Sequence, residues 1–385
     1  MPTPVTLRVL RNALLALSVT ALAGCSLFSS DNPRYDPAPL TEYAPGVSAS
    51  VVWSANIGSG SGYGFVPHVV GESVYTAAPN GTVSKLDLAS GAVQWQVKTD
   101  IDLSAGVGSD GNTSAVAAPN GTVVAFDAQG AEKWRVKASS EVSIPPAVGA
   151  GVVVVRSSDY RIQAFDENSG ELLWNVQRPG PALALKTAMQ MLIVDDLLIS
   201  GLPNGRLIAI NVRNGMVQWE GTVSVSQGAT DLERISDVVG APQLQGPLLC
   251  GVSYQGRMAC FDLSQGGRPI WDQAISSVSG MTMDSQQAYA ANQRDVVYAF
   301  ALADGHEVWK QEGLRNRRLS SPAVVPQGLA VGDYEGYVHF LSRTDGRLLG
   351  RVQVGGGAIV SPLVAGNRGI LVQTGNGNLV LVGVN

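Results

Sequence analysis

The side chains that could do chemistry are few, and their spacing argues against a catalytic centre. The three histidines, His68, His306 and His339, stand far apart at unrelated intervals, and no His, Cys or acidic cluster has the spacing of metal ligands. No phosphate-binding glycine loop, G-x-S-x-G elbow or H-E-x-x-H helix occurs. The glycine-rich run "GSGSGYG" at Gly58 to Gly64 opens no helical pattern and reads as a loop. Cys250 and Cys260 flank a turn at Tyr254-Gln255-Gly256. A three-residue loop would set them opposite each other, within disulfide reach; a shift of one residue would leave two small apolar core side chains. The densest basic cluster is Arg315-Asn316-Arg317-Arg318. It is either a solvated loop or, through Arg317 and Arg318, a site for an acidic partner. An acid or amide recurs ahead of a glycine at Asp87, Asp127, Asp166, Asn211 and Asp262. A residue met once per unit serves a turn, accepting from nearby backbone N–H groups, rather than a reaction.

The elements behind these residues are set by an internal repeat. Trp53, Trp95, Trp134, Trp174, Trp219, Trp271 and Trp309 are all seven tryptophans, spaced 42, 39, 40, 45, 52 and 38 residues apart; an eighth position falls at Gly350. "VYTAAPNGTVSKLDLASGAVQW" typifies the unit: a β-rich run, an Asn-Gly turn, a second run, a Ser-Gly turn, and a third run ending in Trp. Asn-Gly between alternating runs signals a hairpin with both central residues at positive φ. The first turn returns at Asn120-Gly121, Asn204-Gly205, Gln255-Gly256, Glu335-Gly336 and Asn376-Gly377, and degenerates at Asp159-Tyr160 and Arg294-Asp295. A further apolar run precedes each unit, giving four strands per ~40 residues, the period of a propeller blade. The last unit lacks its fourth strand, and the first Trp, in "ASVVWSANIG", has no strands before it. The sequence therefore predicts an all-β, eight-bladed propeller of four-stranded antiparallel blades over 48–385, with the N-terminal strand completing the last blade. Seven blades would result only if the unit ending at Gly350 did not count, and its turns are intact.

Composition agrees. The 385 residues are 45% hydrophobic and 15% charged, with 45 glycines, which suits short strands and tight turns. The formal net charge of −5 excludes a nucleic-acid-binding footprint. Arg8 and Arg11 precede the apolar run "ALLALSVTALAG", which ends at Cys25 and is too short to span a bilayer. Leu22-Ala23-Gly24-Cys25 resembles a bacterial lipobox. That resemblance implies a signal peptide over 1–24, an acylated Cys25, and, from Ser26, sorting to the inner leaflet of the outer membrane. Cleavage removes two arginines and no acid, leaving 24 basic against 31 acidic residues and a net charge of −7. Several acyl chains, rather than charge, would hold such a body at a membrane. The Pro-, Ser- and Asp-rich stretch to residue 47 reads as a flexible tether.

The unit "LD…SG…W" resembles the repeat of quinone-dependent dehydrogenase propellers. The whole chain resembles a narrower group, the BamB family of lipoprotein propellers in the outer-membrane β-barrel assembly machinery. "AGCSLF", "RISDV", "SSPAV" and "VGDYEGYVHF" carry the likeness beyond the repeat. The resemblance implies a non-enzymatic scaffold without cofactor or metal. Its implied partners are the periplasmic POTRA domains of BamA and, potentially, unfolded outer-membrane proteins. The implied contact loop after the fourth Trp reads Leu183-Ala184-Leu185-Lys186, with Lys186 where the family has Arg. A lysine keeps the charge but loses the planar fork. The second contact loop reads Asp237-Val238-Val239, with Val239 replacing an acid. It falls in the longest interval between tryptophans. Two other functions are compatible with the repeat: a quinone enzyme, although the adjacent Cys pair of such enzymes is missing, and a propeller that binds peptide strands at its blade edges.

Overall fold

The computed structural model describes residues 35–60 and 62–385. The signal peptide and Cys25 expected from the sequence lie outside the described residues. The body spans Ala38–Asn385.

The body is an eight-bladed propeller of four-stranded antiparallel sheets. Seven blades follow chain order over 68–98, 105–137, 147–177, 191–222, 238–274, 281–311 and 323–353. The eighth joins Val364–Gly366, Gly369–Gln373 and Asn378–Val384 to the N-terminal strand Ala49–Asn56. That strand pairs antiparallel from Ala49↔Val384 to Asn56↔Asn378, closing the ring as the truncated last unit requires. Within a blade the second and third strands are buried along most of their length, because neighbouring blades cover both faces. The fourth strand alternates between exposed and half-buried residues at the rim.

The repeated turns divide between two faces. Each blade-connecting loop and each first turn falls at one end of the strands, and each second turn at the other, as an up-and-down meander dictates. At Pro79-Asn80-Gly81 the turn differs from the expected hairpin type. Gly81 N–H donates to the Ala78 carbonyl at 3.0 Å, and Gly81 alone has positive φ, 87°. This is a type I turn, in which only the glycine is left-handed. At Asn204-Gly205 both residues are left-handed, with φ of 60° and 70°.

The second turn staples blades together. Asp87 Oδ1 accepts from Ser90 N–H at 2.8 Å, and Asp127 Oδ1 from Ala131 N–H at 2.8 Å, which are the local bonds expected of these acids. The indole N–H of Trp134 donates to the Glu167 carbonyl in the next blade's turn at 2.9 Å. Trp53, Trp95, Trp174, Trp271 and Trp309 repeat this bond one blade on. The turn glycine lies under the ring: a Cβ at Gly170 would approach Trp134 ring carbons to 2.9 Å.

The seam without a tryptophan, at Gly350, is closed differently. Gly46 and Val47 N–H groups donate to the Leu349 carbonyl at 2.7 and 3.1 Å, and a Cβ at Gly350 would come within 2.7 Å of the Val47 carbonyl oxygen. Upstream, Arg351 binds the Thr41 carbonyl at 2.9 Å and the Glu42 carboxylate at 3.0 Å, and its guanidinium lies over Tyr43. Residues 38–47, expected to belong to a flexible tether, are thus a strap laid on blade 7.

Candidate partner-binding site

The excursion after the fourth Trp, residues 178–190, connects blades 3 and 4. It is held by the first turn of blade 3 and by residues 237–240 at the start of blade 5. Tyr160, in the degenerate first turn of blade 3, has φ of 65° and donates its hydroxyl to the Pro181 carbonyl at 2.7 Å. A Cβ at Gly180 would collide with the Tyr160 ring, so glycine is required there. Gly240 N–H donates to the Ala188 carbonyl at 2.8 Å, and Gln190 N–H to the Gly240 carbonyl at 3.1 Å. Asp237 Oδ2 accepts the Leu185 N–H at 2.6 Å.

The loop carries Leu183, Leu185 and Lys186, which have different surroundings. Leu183 is 43% exposed. Leu185 is half-buried and packs on the cluster containing Ile144, Met189 and Val239. Lys186 projects into solvent and pairs with Glu141 at 3.2 Å, an exposed ion pair worth at most about 1 kcal/mol. Together with Tyr63, Glu141 and Ile144 from neighbouring connections, the loop lines a cavity of about 460 Å³.

Two expectations are corrected. Asp237 has no solvent exposure, so its carboxylate is a strut under Leu185 and not a surface charge. Burial pushes its pKa up, opposed by the Leu185 amide and the charge of Arg156. Val239, where the family's pattern has an acid, is likewise buried in the core. Arg317 is also internal. It bonds Asp333 at 2.8 Å and pairs with Glu335, and it donates to the Ala38 carbonyl at 2.9 Å, so it locks the strap instead of meeting a partner. Asp333 Oδ2 also bonds His339 Nε2 at 2.9 Å, while Oδ1 accepts the Glu335 and Tyr337 amides. Burial raises the Asp333 pKa, but the bonds from His339, Tyr337 and Arg317 outweigh it and hold the carboxyl below its ordinary value. Arg318 alone of this pair is exposed, its backbone N–H held by Asp295 at 2.7 Å. Leu183 and Lys186 thus lie at one excursion and Arg318 at another, three blades on.

Cys250 and Cys260 face each other directly across neighbouring strands of blade 5 and are disulfide-bonded. Sequence reasoning missed Tyr160, Glu141 and Arg156, which come from a turn, a connection and a strand end of other parts of the chain. Arg156 lies 7% exposed at the end of the valine strand Val152–Arg156, where burial pushes its pKa down to about 10 against the opposing charges of Asp237 and Tyr160. Its signal was a charge closing an otherwise apolar run, and that of Tyr160 was the break in the Asn-Gly turn.

Among the described residues no three His, Cys, Asp or Glu side chains could hold a metal, and no helix is long and apolar enough to cross a membrane. A family model described as outer membrane protein assembly factor BamB matches residues 79–311. The chain is 59% identical to the Bordetella pertussis protein of that name over 98% of both chains, and 38% identical to the Burkholderia pseudomallei protein over 94% of this chain and 95% of that one. The crystal structure of BamB from Moraxella catarrhalis superposes with a TM-score of 0.81 at 24% identity, covering 87% of this chain and all of that one. A europium-containing methanol dehydrogenase shares the fold alone, with a TM-score of 0.68 at 14% identity over 87% of this chain and 93% of that one. With matches along nearly its full length to assembly factors and only a shared fold with the dehydrogenase, the chain belongs to the BamB family of outer membrane protein assembly factors, which are not enzymes.

Proposed function

We propose that the protein is a scaffold of the outer-membrane assembly machinery. It docks on the POTRA domains of BamA through the 182–187 loop and assists folding and insertion of β-barrel proteins. An acylated Cys25 would hold it on the inner leaflet of the outer membrane, with the chain before Ala38 as the tether. The carrying observation is a surface loop that breaks the repeat yet is pinned by a buried carboxylate, presenting Leu183 and Lys186 beside a cavity of about 460 Å³. A loop held in one conformation loses little entropy on binding. Capture of purified BamA periplasmic domains tests this. Leu183→Glu should weaken capture by tenfold or more, because the exposed leucine is then a charge that must be desolvated. Unchanged capture by Leu183→Glu and Lys186→Glu would remove the loop from the interface.

A second mode rests on the rim. Leu172 and Leu173 of blade 3 and Val217 of blade 4 are exposed on outer strands whose edges carry no partner strand, and exposed Met216 directly precedes the latter. Such edges can pair with an unfolded barrel strand. Crosslinking from position 172 or 216 to a barrel protein held unfolded in urea and then diluted checks this; crosslinks at random rim positions to the same extent would discount it.

A further inference from the structure

We propose that the cavity between blades 3 and 4 binds a carboxylate presented by an extended polypeptide, gripped by Arg156, Arg178 and Arg206. The proposal does not depend on what docks at the 182–187 loop. The cavity holds about 540 Å³ and opens beside the blade-connecting loops. Three guanidinium groups line it against one carboxylate, Glu220, which bridges Arg206 at 2.9 Å and Arg178 at 3.4 Å. This is a local positive excess in a chain of net charge −5. Arg156 is 7% exposed and meets only neutral acceptors: the Gly201 carbonyl, the Ser200 hydroxyl at 3.4 Å and the Met189 sulfur at 3.0 Å. The nearby acid, Asp237, gives Oδ2 to the Leu185 amide; its Oδ1 makes no hydrogen bond, so its charge acts on Arg156 without an ion-pair contact. Arg178 Nε is buried and makes no hydrogen bond. A buried donor left unmade, next to a buried cation that no carboxylate contacts directly, suits an oxyanion.

The planar fork of arginine matches the two oxygens of a carboxylate, and Glu220 already shows one carboxylate shared between two of these arginines. The polypeptide source follows from the rest of the lining. Pro179, Pro203 and Val225, the last 70% exposed, flank the charged floor with apolar surface suited to residues either side of an acid.

The test titrates the full chain, in detergent, with a capped Val-Glu-Val peptide, its Val-Gln-Val counterpart, glutarate and inorganic phosphate, followed by calorimetry. The glutamate peptide should bind about tenfold more tightly than the glutamine peptide, and the difference should shrink at high salt. Arg178→Gln and Arg206→Gln, both at partly exposed positions, should each weaken it about tenfold with an unchanged circular dichroism spectrum. Glu220→Gln removes the internal competitor and should tighten binding. Equal affinity for the two peptides, or indifference to both arginine changes, overturns the site. Weakening by Glu220→Gln overturns the competition it rests on. Glutarate binding as tightly as the peptide overturns the polypeptide source, and phosphate binding as tightly as glutarate overturns the preference for carboxylate.

Discussion

Asp237 accepts the Leu185 amide at 2.6 Å from a position with no solvent exposure, and Asp333 gathers Arg317, His339 and two amides in the same way. Asp237 was legible in sequence as an acid in a loop that breaks the repeat, while Asp333 opens an intact first turn and gave no such signal; the burial of neither was legible, because it depends on loops between other strands. Their titrations have opposite signs. Asp237 has its folded pKa raised, so its contribution favours the fold below the ordinary carboxylate value and is lost as pH rises through the folded value. Asp333 has its folded pKa lowered, so its contribution is present above the ordinary value and is lost as pH falls through the folded one. On acidification the strap should therefore loosen while the 182–187 loop stays closed. Amide exchange of residues 38–47 against 183–187, followed downward through the carboxylate range, reads this directly. Simultaneous release of both segments would contradict it. At neutral pH, Arg317→Met leaves Asp333 buried with one fewer partner and should cost about 3 kcal/mol, measured as a lower denaturant midpoint with early proteolysis in the strap. Asp237→Ala should speed exchange at Leu185, and Asp237→Asn, which keeps an acceptor, should restore part of the protection.

At the scale of elements, the blade was readable almost whole. Tryptophan spacing, the two turns and the missing last strand gave the blade count and the closure, because each follows from local chemistry repeated in every unit. The type of the first turn was not readable, since Pro79-Asn80-Gly81 and Pro203-Asn204-Gly205 share their residues and differ in backbone conformation. Nor was the purpose of the tryptophans, which is to bond one blade to the next. That purpose yields a graded prediction. Trp134→Phe keeps the ring but loses the N–H to the Glu167 carbonyl, and should cost about 1 kcal/mol. Trp219 packs against Phe261 with ring centroids 5.0 Å apart and faces Gly267, without the bond its counterparts make. Trp219→Phe should accordingly cost less, and comparison of urea midpoints decides. Gly170→Ala should be worse than either, since it combines φ of 74° with a clash against the Trp134 ring. In blade 5, replacing Cys250 and Cys260 together by Ala opens a short hairpin loop. The cost is at most about 3 kcal/mol by chain entropy, because the ladder on both sides already holds the hairpin.

At the scale of the whole molecule, the N-terminal segment closes the ring twice. Ala49–Asn56 supplies the outer strand of blade 8, and the strap ahead of it covers the one seam whose position for tryptophan holds Gly350. The two closures differ in what they hide. Removing the strand would uncover the edge Asn378–Val384, a run of largely buried apolar residues with unpaired backbone groups, and should give a chain that aggregates or swaps strands between copies. Removing the strap alone, by deleting residues 26–46, keeps every blade at four strands. It uncovers Leu349 and the Arg317 cluster, and should lower stability without changing the monomeric state. Light scattering and thermal unfolding of the two deletions separate these outcomes. The strap also limits the proposed tether. If Cys25 is acylated, only about a dozen residues separate it from the first docked residue, Ala38, so the reach is at most about 45 Å at ~3.5 Å per residue. Arg317→Met combined with Arg351→Met removes the side chains that hold Ala38, Thr41 and Glu42, and should lengthen that reach by about eight residues, up to the backbone bonds of Gly46 and Val47 to Leu349, without altering the 182–187 loop. Fluorescence transfer between a labelled bilayer and a dye on blade 7 should therefore fall in the double variant and recover when about eight residues are deleted from the tether. Unchanged transfer in the double variant would mean that the strap does not govern how the propeller is held at the membrane.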